Sequence, residues 1–259
     1  MNIEKCSLLF EKRFRTEIQE KWDNSGAQVM HAGEELKGIL CALDCSSRVI
    51  TEAENTGCNL IVTHHPLIFD PIKSVSSETA KGKLLISLID SRISVLSYHT
   101  CLDMLYWQKA AVSFGVQFSG PVFCENGDDN GYGVFFHFGS GISVEDLASI
   151  VKEKLSADSV RISSDKDSLI FRAVFLSGSG GSFIDRIIEQ KSAECIITGD
   201  ISYHMAMDAL SSGLSVIDAG HYYTEKNYLD FLREDIYQCL DGAVPVKCSV
   251  SETSPFRYK

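Results

Sequence analysis

Two adjacent histidines, His64 and His65, are the residues of this chain that most directly indicate chemistry. They follow the apolar run Leu60–Val62, which is typical of a short buried strand. They precede Pro66, which lacks the N–H that a continuing strand needs. Two imidazoles are therefore predicted at a strand exit, where open α/β folds bind ligands. Neutral imidazole is the commonest metal ligand in proteins, although a histidine pair at a simple turn accounts for the doublet equally well.

Further side chains with ligand chemistry follow other apolar runs. Asp103 comes four residues after His99, and Glu225 comes four residues after His221. If a helix starts near Tyr222, His221 and Glu225 share one of its faces. The candidate metal ligands are therefore five side chains: His64, His65, Asp103, His221 and Glu225.

Five ligands fit two metal ions better than one. A single catalytic zinc usually takes three protein ligands and a water, whereas two-metal sites hold ions about 3.5–4 Å apart and clamp both reacting oxygens. One carboxylate would bridge the ions, which would lower the pKa of a water and supply a hydroxide nucleophile. The mixed nitrogen and oxygen set suits zinc, manganese, iron, cobalt or nickel, and the sequence does not choose among them.

Other polar residues near strand ends carry weaker indications. Asp200 and His204 either face the same site or cap the helix predicted from Met205, and both interpretations stay open. His137 lies in the apolar run VFFHF and is predicted to be a packed strand histidine. His31 lies in a polar loop and is a similarly weak candidate.

Two turn-like segments complete the set of motifs. The SGSGG loop (177–181) follows an apolar run and opens a helix, so its N–H groups could bind an anion. It departs from the full GxGxxG pattern and lacks an acidic partner for a ribose, so a tight turn explains it better and no organic cofactor is predicted. WDNSGAQV (22–29) is an aromatic-polar patch typical of a turn, and Asp44 at another strand end could face the cleft.

Alternating strands and helices must position these residues. Strands are predicted at 38–46, 59–63 and 92–99, with helices at 49–56 and 78–91 between them. This alternation predicts an α/β architecture with mixed, largely parallel sheets.

A second series of elements follows the Gly-, Asn- and Asp-rich stretch 125–133, which is the best predicted boundary. The chain is therefore predicted to form two similar α/β lobes, 1–125 and 126–259, which face a central metal-binding cleft, with no inserted domain. The C-terminal segment could pack back on the first lobe. A weak internal echo between LIVTHHP and IITGDISYH agrees with two similar lobes.

Local patterns predict three helices at particular positions. An amphipathic helix is predicted over 3–20, with Leu8, Leu9, Phe14 and Ile18 on one side. A second helix should begin at a capping box opened by Ser143 and end near Leu155. A third is predicted from Tyr223 to about Leu240.

Composition narrows the class of protein. The 259 residues carry a formal net charge of -11, which argues against a long nucleic acid or an anionic membrane as partner. The nine cysteines show no CxxC pair, so a zinc knuckle or a disulfide framework is not expected; Cys41, Cys58 and Cys195 read as small core residues. The charged N-terminus lacks a signal-peptide core, no apolar run approaches about 18 residues, and a reducing cytoplasm is expected.

Taken together, the motifs WDNSGAQV, LDCS, THHPLIF, SYHTCLD, TGDISYH and GHYYTE resemble the Nif-three-like (Ngg-interacting factor three) family, whose members are also described as GTP cyclohydrolase I type 2 homologs. The resemblance spans nearly the whole chain, and THHPLIF with GHYYTE is its most specific part. The sequence departs from the family pattern at Cys101, the stretch 105–110, Ala27 and Met30. None of these positions is a predicted metal ligand, so the departures concern the shape of the substrate rather than the metal site.

The resemblance implies a two-lobed fold with a dinuclear metal centre and a homohexameric assembly. It assigns His65 and Asp103 to one ion, His64 and His221 to the other, and Glu225 to a bridge. The resemblance further implies that two more histidines line the same cleft: His99 and His204.

Two classes of function follow from this interpretation. The first is a metal-dependent hydrolase of a small molecule or nucleotide, either a GTP cyclohydrolase or a phosphoesterase. The second is a non-enzymatic metal-binding, regulatory or protein-interaction module.

Overall fold

The computed structural model describes residues 1–124, 130–165, 169–257 and 259, and over these residues the chain is a mixed α/β protein. The helices are α1 (Ile3–Arg13), α2 (Ser47–Thr56), α3 (Ala80–Asp90), α4 (Thr100–Phe114), α5 (Val144–Lys154), α6 (Ile184–Gln190), α7 (Tyr203–Ser211), α8 (His221–Glu225) and α9 (Tyr228–Cys239). The strands are β1 (Gly26–Val29), β2 (Ile39–Ala42), β3 (Leu60–Thr63), β4 (Ser94–Ser97), β5 (Gln117–Ser119), β6 (Phe123–Cys124), β7 (Gly131–Tyr132), β8 (Val134–Ser143), β9 (Arg161–Ser163), β10 (Leu169–Phe175), β11 (Cys195–Thr198), β12 (Ser215–Asp218) and β13 (Val246–Cys248).

Contacts between residues divide the chain into two compact units. Unit 1 comprises Met1–Leu102 and Tyr228–Thr253, and unit 2 comprises Asp103–Asn227 and Ser254–Lys259. The sequence predicted two continuous lobes that divide after residue 125, whereas the contact boundary lies after Leu102. Unit 1 is also discontinuous in sequence, because α9 and β13 return to it and β13 pairs with β2. Residues 125–129 of the predicted boundary segment lie outside the described residues.

Unit 1 is built on a five-stranded sheet with the strand order β1-β4-β3-β2-β13. The strands β4, β3, β2 and β13 are parallel, and β1 adds an antiparallel edge. Every residue of β2, β3 and β4 is buried, which is why these strands read as uninterrupted apolar runs in the sequence. Because the strands are parallel, the segments after β3 and β4 leave the same edge of the sheet.

Helices α2 and α3 cover this sheet and complete a core. Leu40, Ile61 and Val95 from the strands are buried with Val49 from α2 and Leu85 from α3. Helix α2 is capped at both ends. The side chain of its N-cap serine accepts a hydrogen bond from a backbone N–H, and a glycine in the left-handed conformation ends the helix. Local capping signals therefore fix where the helix lies along the chain.

The N-terminal helix is shorter than predicted and buries a different face. Helix α1 ends at Arg13, and Arg15 takes a left-handed conformation with φ of 51°, which breaks the helix before residue 20. The buried side chains of α1 include Ile3 and Phe10, whereas Leu8 is 62% exposed. The prediction that Leu8 lies on the buried face was therefore wrong, because the face that packs against the protein carries Ile3 and Phe10 instead.

Unit 2 contains a six-stranded sheet with the order β5-β8-β10-β11-β12-β9. Strands β10, β11 and β12 are parallel, while β5, β8 and β9 join antiparallel. Strands β6 and β7 form a separate two-stranded pair. The core of the sheet contains Val174, Ile196 and Val216, packed with Ile187 of α6 and Ala209 of α7. The prediction of an α/β fold with mixed, largely parallel sheets is confirmed.

Several local predictions can be compared directly with the structure. The Ser143 Oγ accepts from the Asp146 N–H at 3.1 Å, as a capping box predicts, and the Asp146 carboxylate accepts from the Ser143 hydroxyl at 2.7 Å. Cys41, Cys58 and Cys195 are buried, as predicted. In the described part of the chain, no helix has the length and apolar character needed to cross a membrane.

Three regions were misjudged from the sequence. The single helix predicted over 223–240 is two helices, α8 and α9, separated by Lys226 and Asn227. Helix α4 was not predicted, because its sequence is apolar on most sides and shows little helical periodicity. Strand β1 was read only as part of a turn, although it pairs with β4.

Candidate metal centre

The histidine doublet lies where strand β3 ends. The N–H groups of His64 and His65 donate to the carbonyls of Ala42 and Leu43 at 3.1 and 2.8 Å, so the pairing with the β2 segment continues into the doublet. The Thr63 hydroxyl donates to the His65 carbonyl at 2.8 Å. The backbone that carries both imidazoles is therefore held by the sheet itself, and His64 is completely buried.

Each ring of the doublet is oriented through its Nδ1 atom. The His64 Nδ1 lies 3.1 Å from the carbonyl oxygen of Tyr98, and the His65 Nδ1 lies 3.1 Å from an Asp44 carboxylate oxygen. A carbonyl or carboxylate oxygen only accepts, so Nδ1 carries the proton and Nε2 carries the lone pair. Metal-binding histidines are commonly held in this way by outer partners.

The turn that carries Asp44 is tied to the C-terminal part of unit 1. The Glu252 carboxylate accepts from the N–H groups of Leu43 and Asp44, both at 2.7 Å. Burial raises the pKa of Glu252, and these two N–H groups oppose that rise. Asp44 thus positions the ring of His65. The sequence predicted only that Asp44 lies at a strand end and could face the cleft.

His99 follows strand β4 and is held in the same manner. Its Nδ1 lies 3.0 Å from Asp23 Oδ1, and its N–H donates to the Ser25 hydroxyl at 3.0 Å. The second oxygen of Asp23 accepts from the N–H and hydroxyl of Thr100 at 3.0 and 2.6 Å. Burial raises the pKa of Asp23, but bonds from His99 and Thr100 lower it more, so the carboxylate stays ionised well below its usual range.

Unit 1 therefore contains a cluster of three imidazoles. One ring nitrogen from each of His64, His65 and His99 lies within 4.8 Å of the others. The ring centroids are 4.9 to 5.6 Å apart. Neutral imidazoles in such a cluster suit zinc, copper, iron or nickel better than calcium or magnesium.

Unit 2 supplies a histidine between two carboxylates at the end of β12. The His221 Nδ1 lies 2.7 Å from Asp200 Oδ2, and the His221 Nε2 lies 3.0 Å from Glu225 Oε2. His221 and Glu225 are four residues apart on α8, as the sequence predicted. If Nδ1 donates to Asp200, the Nε2 lone pair of a neutral ring faces a carboxylate oxygen. A proton or a bound cation stabilises that arrangement.

The SGSGG loop lies directly against this group. A Cβ atom at Gly178 would lie 2.3 Å from Glu225 Oε1, and its φ of +64° also favours glycine. The N–H of Gly178 donates to Thr224 Oγ1 at 2.9 Å, and that of Gly180 donates to Thr198 Oγ1 at 2.8 Å. These two N–H groups are used within the protein, so the loop serves close packing against α8.

The remaining predicted site residues occupy distinct positions. Asp103 lies in the first turn of α4, and the Ser177 hydroxyl donates to its Oδ1 at 3.3 Å. His204 is an exposed residue of α7. Ser202, and neither Asp200 nor His204, caps α7, because its side chain accepts from the Met205 N–H. The capping interpretation of Asp200 and His204 was therefore wrong, and Asp200 instead holds His221.

Two other histidines have structural partners. The His137 ring lies in β8 with Nε2 2.7 Å from the Ser119 hydroxyl. The Nε2 of His31 lies 3.3 Å from the Leu88 carbonyl oxygen. Both positions agree with the prediction that these two histidines are weak candidates for metal ligands.

The positioning residues Asp23 and Tyr98 were not identified from the sequence. Asp23 lies in the WDNSGAQV motif, whose polar run suggested only a turn, and Tyr98 acts through its backbone carbonyl, which no residue type reveals. In each unit the donor set fits a metal ion by its chemistry, since three imidazoles lie together in unit 1 and a buried carboxylate, Glu225, accompanies His221 in unit 2.

Comparison with known proteins agrees with the motifs. The relatives include "GTP cyclohydrolase 1 type 2" of Helicobacter pylori strain J99, which is 34% identical over 222 residues and covers 85% of this chain and 86% of its own length. They also include a "GTP cyclohydrolase 1 type 2 homolog" of Clostridium acetobutylicum, which is 30% identical over 254 residues with 93% of both chains covered.

Solved structures share the fold over the full length. The crystal structure of the Staphylococcus aureus hypothetical protein SA1388 matches with a TM-score of 0.90 and 27% identity, covering 100% of this chain and 99% of that chain. The family model of Duf34/NIF3 (NGG1p interacting factor 3) matches residues 1–255. The chain therefore belongs to the Duf34/NIF3 family.

Proposed function

We propose that this chain binds two divalent metal ions and uses them to hydrolyse a small molecule or a nucleotide. The observation that carries the proposal is the way the histidines are held. Each has its Nδ1 directed at a carbonyl or carboxylate oxygen, which leaves Nε2 as the ligand atom. The proposed metal ligands are His64, His65, Asp103, His221 and Glu225.

The distribution of these ligands follows the family resemblance. One ion would be held by His65 and Asp103 and the other by His64 and His221, with Glu225 as the bridge. The fully buried ring of His64 and the nearly buried carboxylate of Glu225 support this assignment, since buried ionisable groups are normally paired or coordinated. Zinc, manganese, iron, cobalt and nickel all suit the set.

The protein's own residues have definite tasks in this proposal. When bound, the ions supply Lewis acidity and lower the pKa of a water molecule. Asp44 and Asp200 fix the tautomer and orientation of His65 and His221. Gly178 leaves the space that the Glu225 carboxylate occupies. His99, Asp200 and His204 are the candidates for contact with substrate.

The first substrate to test is GTP, because relatives at 30–34% identity carry the name GTP cyclohydrolase 1 type 2 or its homolog. Opening a purine ring is a hydrolysis at carbon, and a phosphoester hydrolysis would use the same chemistry. The family's name refers to a protein interaction, so a non-enzymatic metal-binding or regulatory module is the competing outcome.

Metal analysis of the purified chain is the direct test. We expect about two ions per chain in the wild type and a sharp fall in His65→Ala and Glu225→Ala. His137→Ala is the matched control, because this histidine bonds to Ser119 and should leave metal content unchanged. Equal, substoichiometric metal in all four proteins would contradict the proposal.

A substrate screen separates the enzyme from the module. GTP, other nucleotides and phosphodiesters are incubated with the wild type and Glu225→Ala in the presence of manganese or zinc. Turnover that is lost in Glu225→Ala supports the hydrolase. Equal turnover in both proteins would show that the activity does not depend on the proposed metal centre. Tight metal binding without turnover of any substrate would favour the non-enzymatic metal-binding or regulatory module.

The assembly and compartment are also part of the proposal. The family resemblance implies a homohexamer, which sedimentation of the purified chain would detect as six times the mass of one chain. A reducing cytoplasm suits nine cysteines that are all thiols in the structure.

A further inference from the structure

Two exposed aromatic side chains of unit 1 form a wedge. Trp22 and Phe69 are 58% and 49% exposed, and their ring centroids are 5.9 Å apart with an angle of 49° between the planes. The rings are inclined rather than stacked on each other, so each keeps part of its face open. A single exposed aromatic side chain needs no explanation, but exposed apolar groups that lie together often mark a binding site.

Hydrogen bonds join the two loops that carry the wedge. The Asn24 side-chain amide donates to the Ile68 carbonyl at 2.6 Å, and the Ile68 N–H donates to Gln28 Oε1 at 2.9 Å. The Gln28 amide in turn donates to the Asn24 carbonyl at 2.6 Å. The Trp22 and Phe69 loops are therefore positioned relative to each other before any ligand arrives, which lowers the entropic cost of binding.

The wedge lies beside the histidine cluster of the same unit. The His99 ring is 5.9 Å from the Trp22 ring and 6.3 Å from the Phe69 ring, with edge-on angles of 72° and 74°. His99 also belongs to the group formed with His64 and His65. A ligand that touched Trp22 or Phe69 would thus reach the proposed metal ligands with the rest of its length.

We propose that Trp22 and Phe69 bind a planar heteroaromatic ring, the purine base of a nucleotide, by stacking. The inference rests on the proposed function and gives it a substrate class. Aromatic faces bind any base through its π-face, and the edge of the second ring adds an inclined contact. The exposed polar side chain of Asn24 beside Trp22 suits the heteroatoms of a base better than an aliphatic chain.

The first test uses the chain's two tryptophans. Trp107 is buried, so Trp107→Phe leaves Trp22 as the fluorophore at the wedge. Guanosine should quench this fluorescence saturably, whereas ribose 5-phosphate, which lacks a ring to stack, should not. Quenching by neither compound, or by both equally, would overturn the proposal.

The second test does not depend on the Trp107 substitution. Equilibrium dialysis with guanosine should show about tenfold weaker binding for Trp22→Ala and for Phe69→Ala, as loss of a stacked base contact predicts. Trp22→Tyr should retain most of the affinity, because it keeps an aromatic face. Phe256→Ala removes an even more exposed phenyl ring elsewhere and should bind like the wild type. Equal affinity in the wild type and Trp22→Ala would overturn the proposal.

Two further measurements separate the possible failures. The metal content of Trp22→Ala should equal that of the wild type, because Trp22 is not a proposed metal ligand. A wild-type chain that binds guanosine but no metal would contradict the proposed function and still support the proposed binding of a base by Trp22 and Phe69. Ile72 and Val75 on the same loop are also exposed, so a second copy of the chain is the rival occupant. A lower sedimenting mass for Trp22→Ala with unchanged guanosine affinity would establish that rival instead.

Discussion

In both units an oxygen atom next to Nδ1 orients each histidine ring, but the groups that surround the histidines differ between the units. In unit 1, the His64 ring lies among other rings, with His65 4.9 Å and Tyr228 5.2 Å away between centroids. In unit 2, His221 lies between the carboxylates of Asp200 and Glu225. Unit 1 therefore contains a cluster of nitrogen donors, whereas the group in unit 2 is rich in carboxylates, and the two kinds of donor suit different metal ions.

Both groups depend on the same feature of parallel sheets. His64 and His99 follow neighbouring parallel strands of unit 1, and Asp200 and His221 follow neighbouring parallel strands of unit 2. The carboxyl ends of parallel strands lie along one edge, so residues distant in sequence come together there. In unit 2 the SGSGG loop lies directly against α8, because a Cβ atom at Gly178 would lie 2.3 Å from Glu225 Oε1.

The largest effects should come from the cores that support the two sheets. Ile61→Ala in unit 1 and Ile196→Ala in unit 2 each remove a fully buried side chain and should lower the free energy of unfolding by about 2–5 kcal/mol. Urea unfolding followed by circular dichroism measures both. Leu8→Ala, which truncates an exposed side chain, is the control and should stay within about 0.5 kcal/mol. Unequal losses for Ile61 and Ile196 would show that one core is packed less tightly.

The next effect concerns acid stability in unit 1. Asp23→Asn should cost about 2 kcal/mol at pH 7, because a carboxylate that accepts from His99 and Thr100 is replaced by a neutral amide. The pKa of Asp23 in the folded protein is below its ordinary value of 3.8, so its contribution is complete above that pH and declines as the pH falls below it. Thermal unfolding between pH 7 and pH 3 measures the difference, and a difference that did not shrink on acidification would refute this account.

The histidine-holding carboxylates of the two units should differ in their effect on metal affinity. Asp200→Asn should weaken zinc binding about 10- to 100-fold, because the partner that fixes the His221 tautomer is lost. Asp44→Asn should have a smaller effect, since its bond to His65 is longer and its side chain is 67% exposed. Competition with a chelating dye measures both affinities. A larger loss in Asp44→Asn would reverse the comparison.

The smallest predicted effects come from helix caps. Ser46→Ala at α2 and Ser143→Ala at α5 should each cost about 1 kcal/mol of unfolding free energy. Ser143→Ala should cost slightly more, because Ser143 also donates to the Asp146 carboxylate. Replacement of either serine by aspartate keeps an acceptor and should restore most of the stability. A loss that aspartate did not restore would point to something other than capping.

Much of the fold could be read from local patterns. Buried parallel strands are rich in apolar residues, so β2, β3 and β4 were predicted close to their observed positions. Helix α4 and the buried face of α1 were not, because α4 lacks a clear polar side and the face of α1 depends on what packs against it. Local amphipathicity does not report which neighbour a helix meets.

The contacts of the candidate site also divide into those that a local pattern predicts and those that it does not. His221 and Glu225 are four residues apart, and one helical turn suffices to bring them to one face. The hydrogen bond between His99 and Asp23 joins residues 76 positions apart, and the Tyr98 carbonyl that holds His64 belongs to another strand segment. No local pattern encodes such partners.

By itself, the sequence determined that apolar strands alternate with helices and that the histidines follow those strands, because hydrophobic periodicity and breaking residues act over a few positions. The tertiary structure decided which oxygen orients each imidazole, and that Trp22 and Phe69 stand exposed as a pair beside His99. These outcomes depend on the pairing order of the strands and on close loop packing, which are non-local and emerge only when the chain is folded.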